Sequence, residues 1–214
     1  FLFSGLRQAI AYSIIWISLK YIKERKLLKF LALVLIATTF HKTAIIFLPV
    51  YFLSNKKLTH KYLIIFLIVI LMTFIFKLQI FNIITKLVYG NYAAIQNGGG
   101  YKLLLLLIII FVGSLYILYK KNNKEEQEQN NIWLNMLLIG ILVQTLASIE
   151  GNIARLTMYF EYSIIFLIPN IIEEIDDKKI RIFLKCIVYI LLTVYFVISI
   201  QNSTSYIPYK MFMF

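Results

Sequence analysis

The sequence predicts an all-α fold, a polytopic transmembrane helical bundle, and three observations carry that prediction. Hydrophobic residues make up 61% of the 214 and the mean hydropathy is +0.81, above the roughly half-apolar norm of soluble domains. The apolar residues fall in runs approaching the ~20 residues a helix needs to cross ~30 Å of hydrocarbon. The runs also lack a period of two: "YKLLLLLIIIF" (101–111) is apolar throughout, whereas strands of a membrane barrel alternate polar and apolar side chains.

Taken in order, the candidate spans are Ala9–Leu19, starting near Phe1, then Leu27–Leu53, Tyr62–Phe76, Leu103–Tyr119, Ile132–Ile149, Ile153–Ile172 and Ile182–Ile200. With the second of these counted as one segment or two, about 7–8 membrane segments are expected within a single transmembrane domain, residues 1–214. The segment 77–90, "KLQIFNIITKLVYG", has polar residues about once per turn at Gln79, Asn82, Thr85 and Lys86. That pattern suits an amphipathic helix in the outer interface. With the glycine-rich "NGGG" (97–100) it makes residues 77–100 an outer interfacial segment and flexible loop. "KKNNKEEQEQNN" (120–131) is expected to be a hydrophilic cytoplasmic loop.

The net charge of +12, from 22 Lys and Arg against 10 Asp and Glu, sits in short tracts between apolar runs. Such tracts orient helices by the positive-inside rule; they are not a surface for nucleic acid, which would interleave basic and aromatic residues on a soluble domain. By that rule "DDKKIR" (176–181), "KKNNK" (120–124) and "NKKLTHK" (55–61) are cytoplasmic. The most basic tract, "KYIKERKLLK" (20–29), then fits in only one of two ways. Either Leu27–Leu53 is one span of about 40 Å and the rule is broken, or the segment breaks near His41-Lys42 and returns as a short hairpin. The hairpin brings Arg7, His41, Lys42 and Arg155 to one side of the membrane; the single span does not.

A bacterial source is suggested by the abundance of Ile, Lys and Asn. The chain begins inside "FLFSG", without Met and without the charged n-region and cleavage site of a signal peptide. It is therefore expected to be the C-terminal part of a longer protein. The single cysteine, Cys186, excludes an intrachain disulfide framework. No pair of His, Asp or Glu stands at ligand spacing, so no metal site is expected, and no phosphate-loop or dinucleotide fingerprint implies a cofactor.

Several polar residues stand where burial is costly, a charge at bilayer depth being opposed by about 2.5–3.5 kcal/mol on insertion scales. Arg7 and Gln8 open the first apolar helix, as a snorkelling interfacial pair or as donors to an anion, since a guanidinium forks onto two oxygens. Arg155 is followed at four and seven residues by Tyr159 and Tyr162, so all three share a helix face. That stripe offers donors for a phosphate and rings for a sugar; a structural pair of Arg155 with Glu150 or Glu161 is the other reading. Glu161, deeper in its span, is a counter-ion or an acid/base group. His41 is the candidate general base, its ordinary pKa near 6.5 suiting it to proton transfer near neutrality, and Lys42 beside it favours the neutral ring.

"GLRQAIAYSIIWISLKYIKERK", then "ATTFHKTAIIFLPVYFL", then "ARLTMYF" and a terminal "IPYKMF", together resemble the EpsG family of bacterial exopolysaccharide polymerase-like membrane proteins. The matching positions are Arg7-Gln8, Phe40-His41-Lys42-Thr43-Ala44, and Arg155 with Tyr159-Phe160. The resemblance implies a Wzy-like glycosyltransferase in the bacterial cytoplasmic membrane. Such a protein joins oligosaccharide repeat units carried on undecaprenyl pyrophosphate, in company with other polysaccharide-assembly proteins. It implies Arg7 and Arg155 as diphosphate ligands and His41 as the base. A lipid-linked-sugar flippase and a non-catalytic scaffold of a capsule-assembly complex are the alternatives.

Overall fold

The computed structural model describes residues 2–89, 100–121, 124–147, 149 and 151–201. Every regular element among them is helical. Ten α-helices and one 3-10 helix occur in this order: α1 Leu2–Lys23, α2 Leu27–Phe40, the 3-10 helix Lys42–Phe47, α3 Leu48–Leu53, α4 His60–Ile75 and α5 Lys77–Tyr89; then α6 Tyr101–Lys121, α7 Lys124–Ala147, α8 Gly151–Glu161, α9 Ser163–Glu173 and α10 Lys178–Gln201. The stretch expected as a loop at 120–131 is helical at both ends, with residues 122 and 123 outside those described.

Among the described residues, three helices can cross a membrane by length and composition: Tyr101–Lys120, Asn130–Ala147 and Lys178–Ile198. A fourth span arises if α4 and the start of α5 count as one, although they meet at 81°. This corrects the expected 7–8 segments, and the physical reason is that several apolar runs are broken. The run 153–172 turns at Tyr162, splitting α8 from α9, and Pro169 lies inside α9. The long run 27–53 breaks at His41, whose backbone is extended (φ −146°, ψ 108°).

Ring contacts across that break decide between the two readings of 27–53. The Phe30 ring lies 5.2 Å from Tyr51 and 6.2 Å from Phe47. In one continuous helix, residues 30 and 51 would stand about 32 Å apart. The chain therefore doubles back at His41, and the segment is a hairpin with short arms. Phe30, Phe47 and Ala44 are fully buried in its seam.

The chain packs as two compact units, Phe1–Ile168 and Pro169–Phe214. In the first, α7 is the hub, packing on α3, α4, α6 and α8. Residues 130–141 are buried on every side, as a helix at the centre of a bundle must be. Asn135 fits there because its amide donates to the carbonyls of Ser54 (3.2 Å) and Lys56 (2.8 Å), holding the α3–α4 connection. A close approach at Gly140, where a Cβ would come within 3.0 Å of the Phe160 Cβ, lets α8 seat on α7. In the second unit, Asp177 caps α10 through Lys179 N–H (2.7 Å), and Glu173 pairs with Arg181 (3.2 Å) and Lys185.

Candidate functional site

The site is assembled by three separate elements brought to one level. From Arg7, α1 continues to Lys23, the chain reverses through Glu24–Lys26 with Arg25 at φ 57°, and α2 returns along α1. Sixteen residues down and thirteen back, at 1.5 Å each, bring His41 to within about one turn of the height of Arg7. The 3-10 helix that begins beside His41 packs on both α1 and α8.

α8 runs parallel to α1, in register with it. Gln8 Nε2 donates to the Arg155 carbonyl (3.2 Å), the Tyr12 ring meets Tyr159 at 4.3 Å and Tyr162 at 5.6 Å, and Trp16 meets Tyr162 at 4.9 Å and Phe166 at 5.8 Å. The residue numbers rise together along the two helices, so Arg7 and Arg155 stand at the same end. Both guanidinium charges act on the His41 ring. His41 lies between helices and outside every candidate span; burial first, then Arg155 and Arg7, hold its pKa below the ordinary 6.5. An imidazole so held is neutral, and able to accept a proton, over a wider range toward acid than a free one.

Gln8 is 6% exposed and its N–H donors go to Tyr12 Oη and the Arg155 carbonyl. Tyr12 Oη in turn donates to that same carbonyl at 2.7 Å. In this conformation Gln8 thus positions Arg155, with only its amide oxygen left to face a ligand. Arg7 is exposed and Arg155 half-buried. Lys42 is exposed, and no hydrogen bond or ion pair ties it to the cluster among the described residues. Tyr159 is 1% exposed; its hydroxyl lies against that of Thr43, and neither completes a well-formed hydrogen bond. Tyr162 lines an open cavity beside α1. Glu161 Oε1 is buried without a hydrogen-bond partner, close enough for its charge to act on Tyr12 and Tyr162. Glu150 lies outside the described residues, as do residues 90–99 and the terminal "IPYKMF".

Tyr12, Trp16 and Thr43 were not among the residues singled out from the sequence. The signal was available for the first two. Tyr12 and Trp16 stand four and eight residues beyond Gln8, one helix stripe, just as Tyr159 and Tyr162 stand beyond Arg155. Thr43 was marked only as a position of the matching motif, without a role at the site.

The model of the EpsG family matches residues 1–211, essentially the whole chain and not a C-terminal portion alone. The chain belongs to the EpsG family. Within this EpsG chain the matched region contains all three elements that meet at the site. No curated protein and no solved structure matches the chain.

Proposed function

We propose that this EpsG-family chain is a membrane glycan polymerase. It joins oligosaccharide units carried on undecaprenyl pyrophosphate at the outer face of a bacterial cytoplasmic membrane, alongside other polysaccharide-assembly proteins. One arrangement carries the reading: two parallel helices in register place Arg7 and Arg155 at one end, at the level of the hairpin tip that bears His41. Two cations and a neutral base are what transfer from a diphosphate leaving group requires.

In this reading the guanidinium groups hold the diphosphate and stabilise the charge it gains as it departs. The acceptor sugar hydroxyl forms its bond to the anomeric carbon while the bond from that carbon to the diphosphate oxygen breaks. The electron pair leaves with the lipid diphosphate, and the hydroxyl proton goes to the free nitrogen of His41. No nucleotide is needed, since the lipid-linked donor is already activated. The basic tracts at 55–61 and 176–181 support an orientation with the hairpin tip outside, and α5, bent 81° from α4, suits a helix lying in the outer interface.

The test is Arg7→Ala, His41→Ala and Arg155→Ala, each in the full chain in its host membrane, with the lipid-linked glycans resolved by size. A polymerase predicts loss of long chains and a build-up of single units on lipid in each variant. Long chains of normal length would refute the catalytic assignment and leave a scaffold. A flippase would instead strand the single units on the cytoplasmic side.

A further inference from the structure

A cavity of about 540 Å³ opens along α1, lined by Ala9, Tyr12, Ser13, Trp16, Ile17 and Tyr162. Its upper end reaches Arg155: Tyr12 Oη bonds the Arg155 carbonyl at 2.7 Å, and Tyr162 stands seven residues, about 10 Å, along the helix from Arg155. Arg7 stands at the same end of α1, on the other side of that helix from Ala9. The α1 rim is exposed: Ala9 and Ser13 face outward and Ile17 is 59% exposed. The groove therefore opens sideways from α1, with its upper end beside the Arg155 backbone.

Its walls present carbon. Ser13 Oγ donates back to the Ala9 carbonyl (3.0 Å) and Tyr12 Oη to the Arg155 carbonyl (2.7 Å), which leaves the Tyr162 hydroxyl and the Trp16 indole N–H as the donors of an otherwise carbon lining. The aromatic members pack edge to face, Tyr12 on Tyr162 and Trp16 on Tyr162. Depth argues the same way, for Ile17 is about 15 Å along α1 from Arg7, too far below an interface for a sugar to be drawn out of water. An anionic head at the arginines with a hydrocarbon tail down the groove satisfies both ends.

We infer that this groove holds the first isoprene units of the lipid whose diphosphate binds at Arg7 and Arg155, an assignment that rests on the function proposed above. It makes Trp16, Ser13 and Ala9 determinants of lipid chain recognition, separate from the residues that hold the diphosphate.

The experiment uses the full chain purified in detergent with Trp133→Phe, so that Trp16 emission alone reports on the groove. The probes are geranyl, farnesyl and geranylgeranyl diphosphate, with hexadecyl diphosphate as a saturated, unbranched control. Affinity is expected to rise roughly tenfold or more from geranyl to geranylgeranyl as further carbon leaves water, with a shift in Trp16 emission. Ser13→Phe, and independently Ala9→Leu, should flatten that dependence, weakening geranylgeranyl diphosphate most and geranyl diphosphate least; Arg155→Ala should weaken every probe by a similar factor. Chain-length dependence persisting in both filled-groove variants would overturn the assignment, as would hexadecyl diphosphate binding as tightly as geranylgeranyl. Either result, with Arg155 still required, leaves the diphosphate reading standing. Failure of the unaltered groove to bind any diphosphate would bring down both.

Discussion

Tyr12→Phe removes one oxygen from the hinge of the site and leaves the ring that packs on Tyr159 and Tyr162 at 4.3 and 5.6 Å. The lost hydroxyl accepts from Gln8 and donates to the Arg155 carbonyl at 2.7 Å. That carbonyl keeps one donor, Gln8 Nε2 at 3.2 Å, while a second amide hydrogen of Gln8, a residue only 6% exposed, loses its acceptor. One hydrogen bond contributes about 1 kcal/mol net, and an orphaned buried donor costs about 1–3 kcal/mol, so destabilisation of roughly 2 kcal/mol is expected. Gln8→Leu should cost about 1 kcal/mol, because Tyr12 still serves the carbonyl. With both replaced, the orphaned Gln8 donor is gone but so is the last side-chain donor to the Arg155 carbonyl, and the cost of the double variant should depart from the sum by at least about 0.5 kcal/mol. Unfolding in mixed micelles by SDS titration measures all three. A neutral Tyr12→Phe, or strict additivity, would show that the Gln8–Tyr12–Arg155 chain of hydrogen bonds does not hold α1 to α8.

Other contacts give three more expected outcomes. Gly100→Ala places a Cβ at φ +92° and 2.6 Å from Gln144 Nε2, displacing an amide that bonds the Gly100 carbonyl (3.1 Å) and accepts from Thr157 (2.8 Å); about 1–2 kcal/mol should be lost, and a cost unchanged by adding Gln144→Ala would contradict the clash. Asn135→Leu strips the donors from Ser54 and Lys56 carbonyls; about 1–3 kcal/mol of stability should go, with faster proteolysis at residues 54–59, and resistance equal to the parent would refute the role. In a His60→Gln background, NMR titration of the remaining imidazole should find His41 half-protonated below pH 6.5, the burial and both arginines lowering it. Because removing a cation relieves that repulsion, Arg155→Gln should move the midpoint upward; a downward move or none would contradict the proximity.

Much of the fold was legible because apolar run length and helix length are the same physical constraint. The runs at 62–76, 103–119, 132–149 and 182–200 coincide with α4, α6, α7 and α10 over nearly all their described residues. The break at His41 was foreseeable as one of two options from the excess length of 27–53 alone, and only the Phe30–Tyr51 contact settles it. The break at Tyr162 was not foreseen, since hydropathy averages over the polar "EYS" at 161–163 that marks it. Counting apolar runs as spans fails for the same reason: broken arms and a polar-headed α1 are too short or too polar to cross as single rods. Of the site, Arg155 with Tyr159 and Tyr162 was readable as an i, i+4, i+7 stripe. Its partner stripe through Gln8, Tyr12 and Trp16 was equally regular, but a Tyr and a Trp in an apolar helix look like interface anchors until their neighbours are known. That Gln8 holds a backbone carbonyl could not be read from spacing, because the carbonyl belongs to a residue 147 positions away.

The proposed chemistry requires Arg7, His41 and Arg155 to share one pocket that opens outside the cell. Paired cysteines test this directly: Arg7→Cys with Arg155→Cys, and His41→Cys with Arg155→Cys, in a Cys186→Ser background, treated in intact spheroplasts with a short, membrane-impermeant bismaleimide. Both pairs should cross-link without permeabilising the membrane. Cross-linking only after permeabilisation, or labelling of each cysteine without any cross-link, would contradict it.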